Sequence, residues 1–335
     1  MKISERYAQY ESYAGDRSHI FGNNPFFEIF WSPDIFCNYK CSYCWPGSNS
    51  PHRKHLPIDV LIKGIRDLKQ KILFDLNIKN ISLVFSGGEP TLLPNFLDLV
   101  RAYSEDNYKN QSLGICTNLT QGKKWWGNFF EASSNLSSIS ISSSWHRENI
   151  RDIDKERNKF LEINHLTKMA KRNFNISIVV PPSQFDDVYI DALFFRKNKI
   201  PTLIRVERKT INGKMLQHPD YNDDQIDDIV NWNDRHEKEF VFIHKEGNEV
   251  KKYSNVEQAI ALGETNYFDW NCFAGTNSVI INPDGFIRRG WGCSDKPLGN
   301  IQNEYNLSIT PQKCITQRCG CSSDMRQPKV KTSDF

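Results

Sequence analysis

The sequence predicts an α/β fold: a partial (β/α)6 barrel followed by a small cysteine-rich α+β region. Two observations predict it. Between residues 26 and 215, six short apolar runs alternate with stretches of helical period, and that alternation implies parallel strands joined by right-handed crossovers. Six units fall short of the eight that close a full barrel. After about residue 215 the alternation stops, and from Cys272 onward cysteine and glycine become frequent.

Residues 1–25 are polar and read as an N-terminal extension, too short to fold as a recognition domain. Phe26-Phe-Glu-Ile-Phe-Trp31 is the first strand. Within 57–76, Leu61, Ile65, Leu68, Ile72 and Leu76 recur at helical spacing behind Pro57. Ile81-Ser-Leu-Val-Phe85 is a buried strand that breaks at Gly87-Gly88. Phe96, Val100 and Tyr103 mark a helix face, Ser112–Cys116 a strand and Lys123–Ala132 a short helix. Ser138-Ile-Ser-Ile-Ser142 alternates as a strand. Residues 152–172 form a long helix with Phe160, Ile163, Leu166 and Ala170 on one side, and Asn175–Val180 is a strand stopped by Pro181-Pro182. A helix over 185–198 and a strand at Thr202–Glu207 complete the units. Beyond them, Asp223–Phe240 is an acidic amphipathic helix, and Val241–His244 and Glu249–Tyr253 are short strands. Val279–Ile281, Asn282-Pro-Asp-Gly285 and Phe286–Arg288 spell strand, turn, strand. The division is therefore 1–25 extension, 26–215 barrel, and 216–335 linker helix plus cysteine-rich domain.

Composition bounds the function. The 335 residues carry 43 basic and 40 acidic side chains, net +3, a balance that disfavours a dedicated nucleic-acid binder. A 39% hydrophobic content excludes global disorder. No apolar run approaches the ~18–20 residues of a membrane span. Met1-Lys-Ile-Ser-Glu-Arg-Tyr7 has no signal-peptide core. A cytoplasmic protein without a membrane partner is expected. Nine cysteines in such a chain point to metal or redox use rather than a disulfide framework.

Cys37, Cys41 and Cys44 lie in Ile35-Phe-Cys-Asn-Tyr-Lys-Cys-Ser-Tyr-Cys-Trp45, a C-x3-C-x2-C spacing on the loop after the first strand. Three thiolates on one short loop hold three corners of a cubane iron–sulfur cluster and leave one iron open for chemistry. A zinc knuckle is the competing assignment, but it favours paired C-x2-C halves with a fourth ligand nearby, and only His52 and His55 follow, in a polar loop after Pro51. Ser86-Gly87-Gly88-Glu89-Pro90-Thr91 directly follows the second strand, where two glycines permit close approach of the backbone. The third strand ends Cys116-Thr117-Asn118 and the fourth Ser142-Ser-Ser-Trp-His146, side chains able to hydrogen-bond a ligand at the barrel mouth. Any one of them alone suits an ordinary turn. Cys116 is expected to pack as a small apolar strand residue.

The cysteine triplet together with the Gly-Gly-Glu run resembles the signature of the radical S-adenosylmethionine (radical SAM) enzymes. The resemblance implies a TIM-like partial barrel in which a 4Fe–4S cluster on Cys37, Cys41 and Cys44 chelates S-adenosylmethionine (SAM) through its open iron. It places Tyr43 near the SAM adenine, Gly87 and Gly88 at the methionyl amino group with a polar role for Glu89, and Asn118, Ser142 and Ser144 around the cofactor. Val180-Pro181-Pro182 is expected beside the adenine, and His146 is the candidate catalytic residue. Reductive cleavage of SAM would give methionine and a 5′-deoxyadenosyl radical that abstracts hydrogen from a substrate carbon.

Cys272, Cys293, Cys314, Cys319 and Cys321 form a second group, with the hairpin pattern bringing Cys272 and Cys293 together. This layout resembles the Twitch or SPASM extension of radical SAM enzymes, which implies one auxiliary 4Fe–4S cluster. Five cysteines exceed four sites, and Cys314 is the first guess for the spare one; a structural zinc site is the alternative. Trp291 is expected to pack over the cluster or shape the substrate cavity, and Arg288-Arg289 to form a solvated hairpin edge. The substrates implied are a ribosomal peptide, crosslinked, epimerised or oxidised, or else a small molecule or nucleotide. A one-electron donor such as flavodoxin or ferredoxin is the implied partner. A non-catalytic iron–sulfur or zinc protein would explain the cysteines but not the Gly-Gly-Glu run.

Overall fold

The computed structural model describes residues 26–44, 50–105, 110–211, 214–236, 242–246, 249–253, 256–261, 265–293, 296–307, 310–317, 319–327 and 329–331. The expected extension at 1–25 and the end of the helix expected over 223–240 lie outside them. Strand and helix alternate first: β1 (Phe26–Trp31), α1 (Ile58–Phe74), β2 (Asn80–Phe85), α2 (Phe96–Ser104), β3 (Asn110–Thr117), α3 (Lys123–Ala132), β4 (Ser138–Trp145), α4 (Ile153–Met169), β5 (Asn173–Val180), α5 (Phe185–Lys197) and β6 (Thr202–Val206). There follow β7 (Arg208–Ile211), β8 (Lys214–Gln217), α6 (Asp223–His236), β9 (Phe242–Glu246), β10 (Glu249–Tyr253) and α7 (Val256–Ala261). The remainder is short: β11 (Asn271–Cys272), β12 (Ser278–Ile281), β13 (Phe286–Arg288), β14 (Gly299–Asn300), β15 (Gln312–Lys313), α8 (Ser322–Met325) and β16 (Lys329–Lys331).

The six units are as read. Strands β1 to β6 pair in parallel and in sequence order. Along β3, β4 and β5 buried and half-buried residues alternate. Leu113, Ile115, Ile139, Ile141, Ile176 and Ile178 pack against Leu68, Leu99, Phe129, Phe160 and Phe195 of the helical layer in one core. The opposite face of these strands carries Ser112, Gly114, Cys116, Ser140, Ser142, Ser144, Asn175 and Ser177, all half-buried. A closed barrel fills its interior with bulky branched side chains; this lumen face carries mainly serine hydroxyls and the Asn175 amide, with Cys116 and Val179 among them.

The sheet does not stop at β1. The hairpin of β12 and β13 adds to it, with β12 parallel to β1 in the register Glu28 to Ser278 and Trp31 to Ile281, and β14 at the edge beyond. The result is one nine-stranded sheet, β14-β13-β12-β1-β2-β3-β4-β5-β6. The other C-terminal strands form a five-stranded sheet, β10-β9-β16-β11-β15. Arg289 departs from the expected solvated edge: it is buried, and its Nε donates to the Ala274 carbonyl at 3.0 Å. Among the described residues no helix is long and apolar enough to cross a membrane.

Candidate active site

The cysteine loop leaves β1 at its carboxyl end and is fixed from below by one buried carboxylate. Asp34 accepts from the Phe36 amide at 3.1 Å, the Lys54 amide at 2.9 Å and Arg53 Nη1 at 3.0 Å. Gly87 and Gly88 then press against this loop. A Cβ on Gly87, whose φ is +109°, would stand 2.0 Å from Ser32 Oγ, and one on Gly88 would stand 2.2 Å from the Phe36 carbonyl oxygen. The Gly88 amide donates to the Asp34 carbonyl at 3.1 Å and the Glu89 amide to the Phe36 carbonyl at 2.7 Å. The two glycines therefore serve the seating of the cysteine loop as well as an open pocket wall.

Glu89 is fully buried. Its Oε1 accepts from the Thr91 amide at 3.1 Å, Thr91 Oγ1 at 2.6 Å and Thr117 Oγ1 at 2.8 Å, and its Oε2 from the Asn118 amide at 2.6 Å. Burial raises its pKa and these donors oppose the rise. The carboxylate ties the ends of β2 and β3 together and holds Asn118 in place. Asn118 Nδ2 in turn donates to Asn38 Oδ1 at 2.9 Å and faces Cys37 Sγ at 3.9 Å.

The loop's other side is held from the end of β4. Glu148 accepts from the Ser42 amide at 2.7 Å and Ser42 Oγ at 2.9 Å. Asn149 Nδ2 donates to Cys41 Sγ at 3.3 Å. His146 Nδ1 lies 3.0 Å from the Tyr43 hydroxyl and 3.3 Å from Cys41 Sγ, and its ring stacks on Tyr43 at 5.9 Å between centroids. Burial brings the His146 pKa down to about 4, which keeps the ring neutral.

These side chains enclose one pocket at the carboxyl ends of the parallel strands. Its wall takes in Cys37, Cys41, Cys44, Gly87, Gly88, Glu89, Asn118, Ser144 and His146. Two expected cofactor contacts are absent from that wall. Tyr43 sits behind His146, and Ser142 lies one pleat deeper than Ser144, giving its hydroxyl to Asn175 Oδ1 at 2.9 Å. Cys116, expected to be a packing residue, is part of the wall. The alternation of β4 and β5 signals the lumen face, and extending it one strand back would have found Cys116.

Three thiols on one pocket wall are the donor chemistry that an iron–sulfur cluster takes, although among the described residues no three such side chains are already drawn together around a metal position. Burial pushes the Cys41 thiol up to about 12 and raises Cys37, so these sulfurs are neutral until a cation binds and draws off the protons. Amide donors from Tyr39 at 3.4 Å to Cys37 and from Asn149 to Cys41 already face the sulfurs, the arrangement that tunes a cluster's potential.

A second group of thiols lies in the C-terminal half. Cys272 is on β11, between β15 and β16. The Cys314 amide donates to the Trp270 carbonyl at 2.7 Å and the Cys319 amide to the Thr265 carbonyl at 2.7 Å. Cys293 follows Gly292, whose amide donates to Asp324 Oδ2 at 2.7 Å and whose carbonyl accepts from Thr316 Oγ1 at 3.0 Å. Cys321 Sγ lies 3.1 Å from Ser323 Oγ. Cys272, Cys314 and Cys319 are buried, and burial raises Cys314 and Cys319.

Comparison with known proteins agrees with this geometry. Residues 32–195 match the model of the Radical SAM superfamily. Over 172 residues the chain is 26% identical to the cysteine-type anaerobic sulfatase-maturating enzyme of Clostridium novyi (strain NT), covering 48% of this chain and 45% of that protein. The match thus spans about half the length of that curated relative. The solved structure described as "Native anSMEcpe with bound AdoMet" aligns over 84% of this chain and 79% of its own, with a TM-score of 0.57 at 21% identity. "Native anSMEcpe with bound AdoMet and Kp18Cys peptide" covers the same shares with a TM-score of 0.56 at 20% identity. Identity at this level supports the shared fold.

Proposed function

Residues 32–195 place the chain in the radical SAM superfamily, and from that premise we propose that it is a radical SAM enzyme acting on a peptide. The observation that carries the reading is the convergence of Cys37, Cys41 and Cys44 with Gly87, Gly88 and Asn118 on one pocket. Cys37, Cys41 and Cys44 would hold the SAM-binding 4Fe–4S cluster. When bound, the cluster would supply one electron and SAM the 5′-deoxyadenosyl group for hydrogen abstraction from a substrate carbon.

The chain's own residues bind and orient. The Gly87-Gly88 backbone and Asn118 face the cofactor, Ser144 offers a hydroxyl, and Glu89 acts as a positioning residue because its carboxylate is already filled by protein donors. His146, neutral and against Cys41, shields the cluster loop from water and is the candidate residue for contact with the reacting atoms. The hydroxyl- and amide-lined lumen suits the polar backbone of a peptide, as does the likeness to a protein solved with Kp18Cys peptide. A ribosomal peptide is the substrate class we favour, with crosslinking, epimerisation or oxidation as the outcome. A flavodoxin or ferredoxin would supply the electron. The C-terminal thiols would hold one auxiliary 4Fe–4S cluster in a Twitch- or SPASM-like region beginning near residue 216.

Anaerobic reconstitution with iron and sulfide, followed by SAM and dithionite, tests the reading. The wild type should release 5′-deoxyadenosine, and the variant with Cys37, Cys41 and Cys44 all replaced by alanine should release none. Cluster uptake by the wild type without SAM cleavage would overturn it.

A further inference from the structure

Lys329 is a cation in the C-terminal half with no contact to water to sustain it. It is 1% exposed and lies on β16, directly opposite Cys272 of β11. Its Nζ donates to the carbonyls of Asp324 at 2.6 Å, Gln327 at 3.0 Å and Met325 at 3.3 Å, and stands 4.9 Å from the centroid of the Tyr267 ring. These groups orient an ammonium but carry no formal charge, so they cancel none of its own. A buried charge is retained when an opposite charge accompanies it. Cys272 faces Lys329 across the β11–β16 pair, and Cys319, Cys314 and the Asp324 carboxylate are the other acidic groups near enough to act on it. The Asp324 carboxylate is already engaged by the Gly292 amide; the cysteines are neutral as thiols, and as metal-bound thiolates they would add negative charge beside the ammonium.

We propose that Lys329 is the counter-cation of a thiolate-ligated centre built by Cys272, Cys293, Cys314 and Cys319, and that it sets the reduction potential of that centre. The inference rests on the auxiliary-cluster reading above. Cys293 joins the set because Gly292 is held to Asp324 and Thr316, which brings the hairpin's end onto the loops of Cys314 and Cys319. Cys321 is the cysteine left outside, its sulfur turned to the Ser323 hydroxyl. A cubane with four thiolates is an anion in both states and gains a further negative charge on reduction. A fixed ammonium in a dry surrounding therefore stabilises the reduced state more than the oxidised one and raises the potential.

The test uses the full-length protein with Cys37, Cys41 and Cys44 replaced by alanine, so that only the C-terminal centre contributes a signal. After anaerobic reconstitution, iron content is measured and the potential is read by a dithionite titration followed by electron paramagnetic resonance. Lys329→Met should shift the potential to a more negative value, and Lys329→Arg should leave it near that of the parent. If Lys329→Met and Lys329→Gln take up no iron while Lys329→Arg does, the requirement for a charge is equally supported. A centre that assembles in Lys329→Met with unchanged potential overturns the inference, as does equal failure of all three variants. A parent that binds no iron overturns the auxiliary-cluster reading itself and the inference with it.

Discussion

Two glycines illustrate how differently the same substitution acts at single positions. Gly88 lies against the cysteine loop, where a Cβ would meet the Phe36 carbonyl oxygen at 2.2 Å and the Ile35 carbonyl carbon at 2.6 Å. Backbone cannot yield there without moving Cys37. Gly127 sits in the exposed face of α3 with nothing within 4 Å of its added Cβ. Gly88→Ala should cost about 1–3 kcal/mol from overpacking, and it should lower 5′-deoxyadenosine release. Gly127→Ala should add about 0.4–1 kcal/mol by restricting the unfolded chain. Urea unfolding midpoints measured on both variants check the pair; a stabilised Gly88→Ala would mean that the loop is not seated on the glycine. The pairing of the cysteine triplet with Gly87-Gly88 was legible in sequence because both follow strands. The reason for the glycines was not, since contact with residues 32–36 exists only once two strands stand side by side.

At the scale of elements, β4, α4 and α5 meet at one side chain. Asp191 of α5 is wholly buried and accepts from Trp145 Nε1 at 2.8 Å, Arg147 Nη1 at 2.6 Å and Arg157 Nη2 at 2.7 Å. Trp145 and Arg147 flank His146, so this carboxylate aligns the end of β4 that carries the clamp on the cysteine loop. Asp191→Asn keeps the shape and removes the charge. Breaking a buried pair typically costs about 3–5 kcal/mol, and the part-exposed guanidinium groups put the expected loss at or below that range. A shift in the denaturant midpoint, with less iron retained by the Cys37 loop, is the expected result; an unchanged midpoint would remove Asp191 from this role. The βα units could be read because apolar alternation reports burial locally. Nothing local in Val279–Ile281 announces that it will lie parallel to Phe26–Trp31, and the polarity of the lumen becomes visible only when Ser112, Ser142 and Ser177 are seen on one face.

For the whole molecule, the C-terminal hairpin closes one edge of the barrel sheet. A chain ended at residue 215 would keep six parallel strands, β1 still paired with β2, but would leave the other edge of β1 unpaired along Glu28–Trp31, a template for association between chains. Such a truncation should elute from size-exclusion chromatography as aggregate, whereas the full chain should not; a stable monomer would show that the barrel is self-sufficient. The pairing of Glu28 with Ser278 also has a consequence in time. Contacts between distant parts of a chain form slowly, and here β1 waits for a partner that the ribosome makes long after it, Ser278 for Glu28. Metal delivery to the loop that hangs from that strand would accordingly await Ser278–Ile281, and a cell making this protein has to keep a half-paired, thiol-bearing edge out of harm until that segment has emerged.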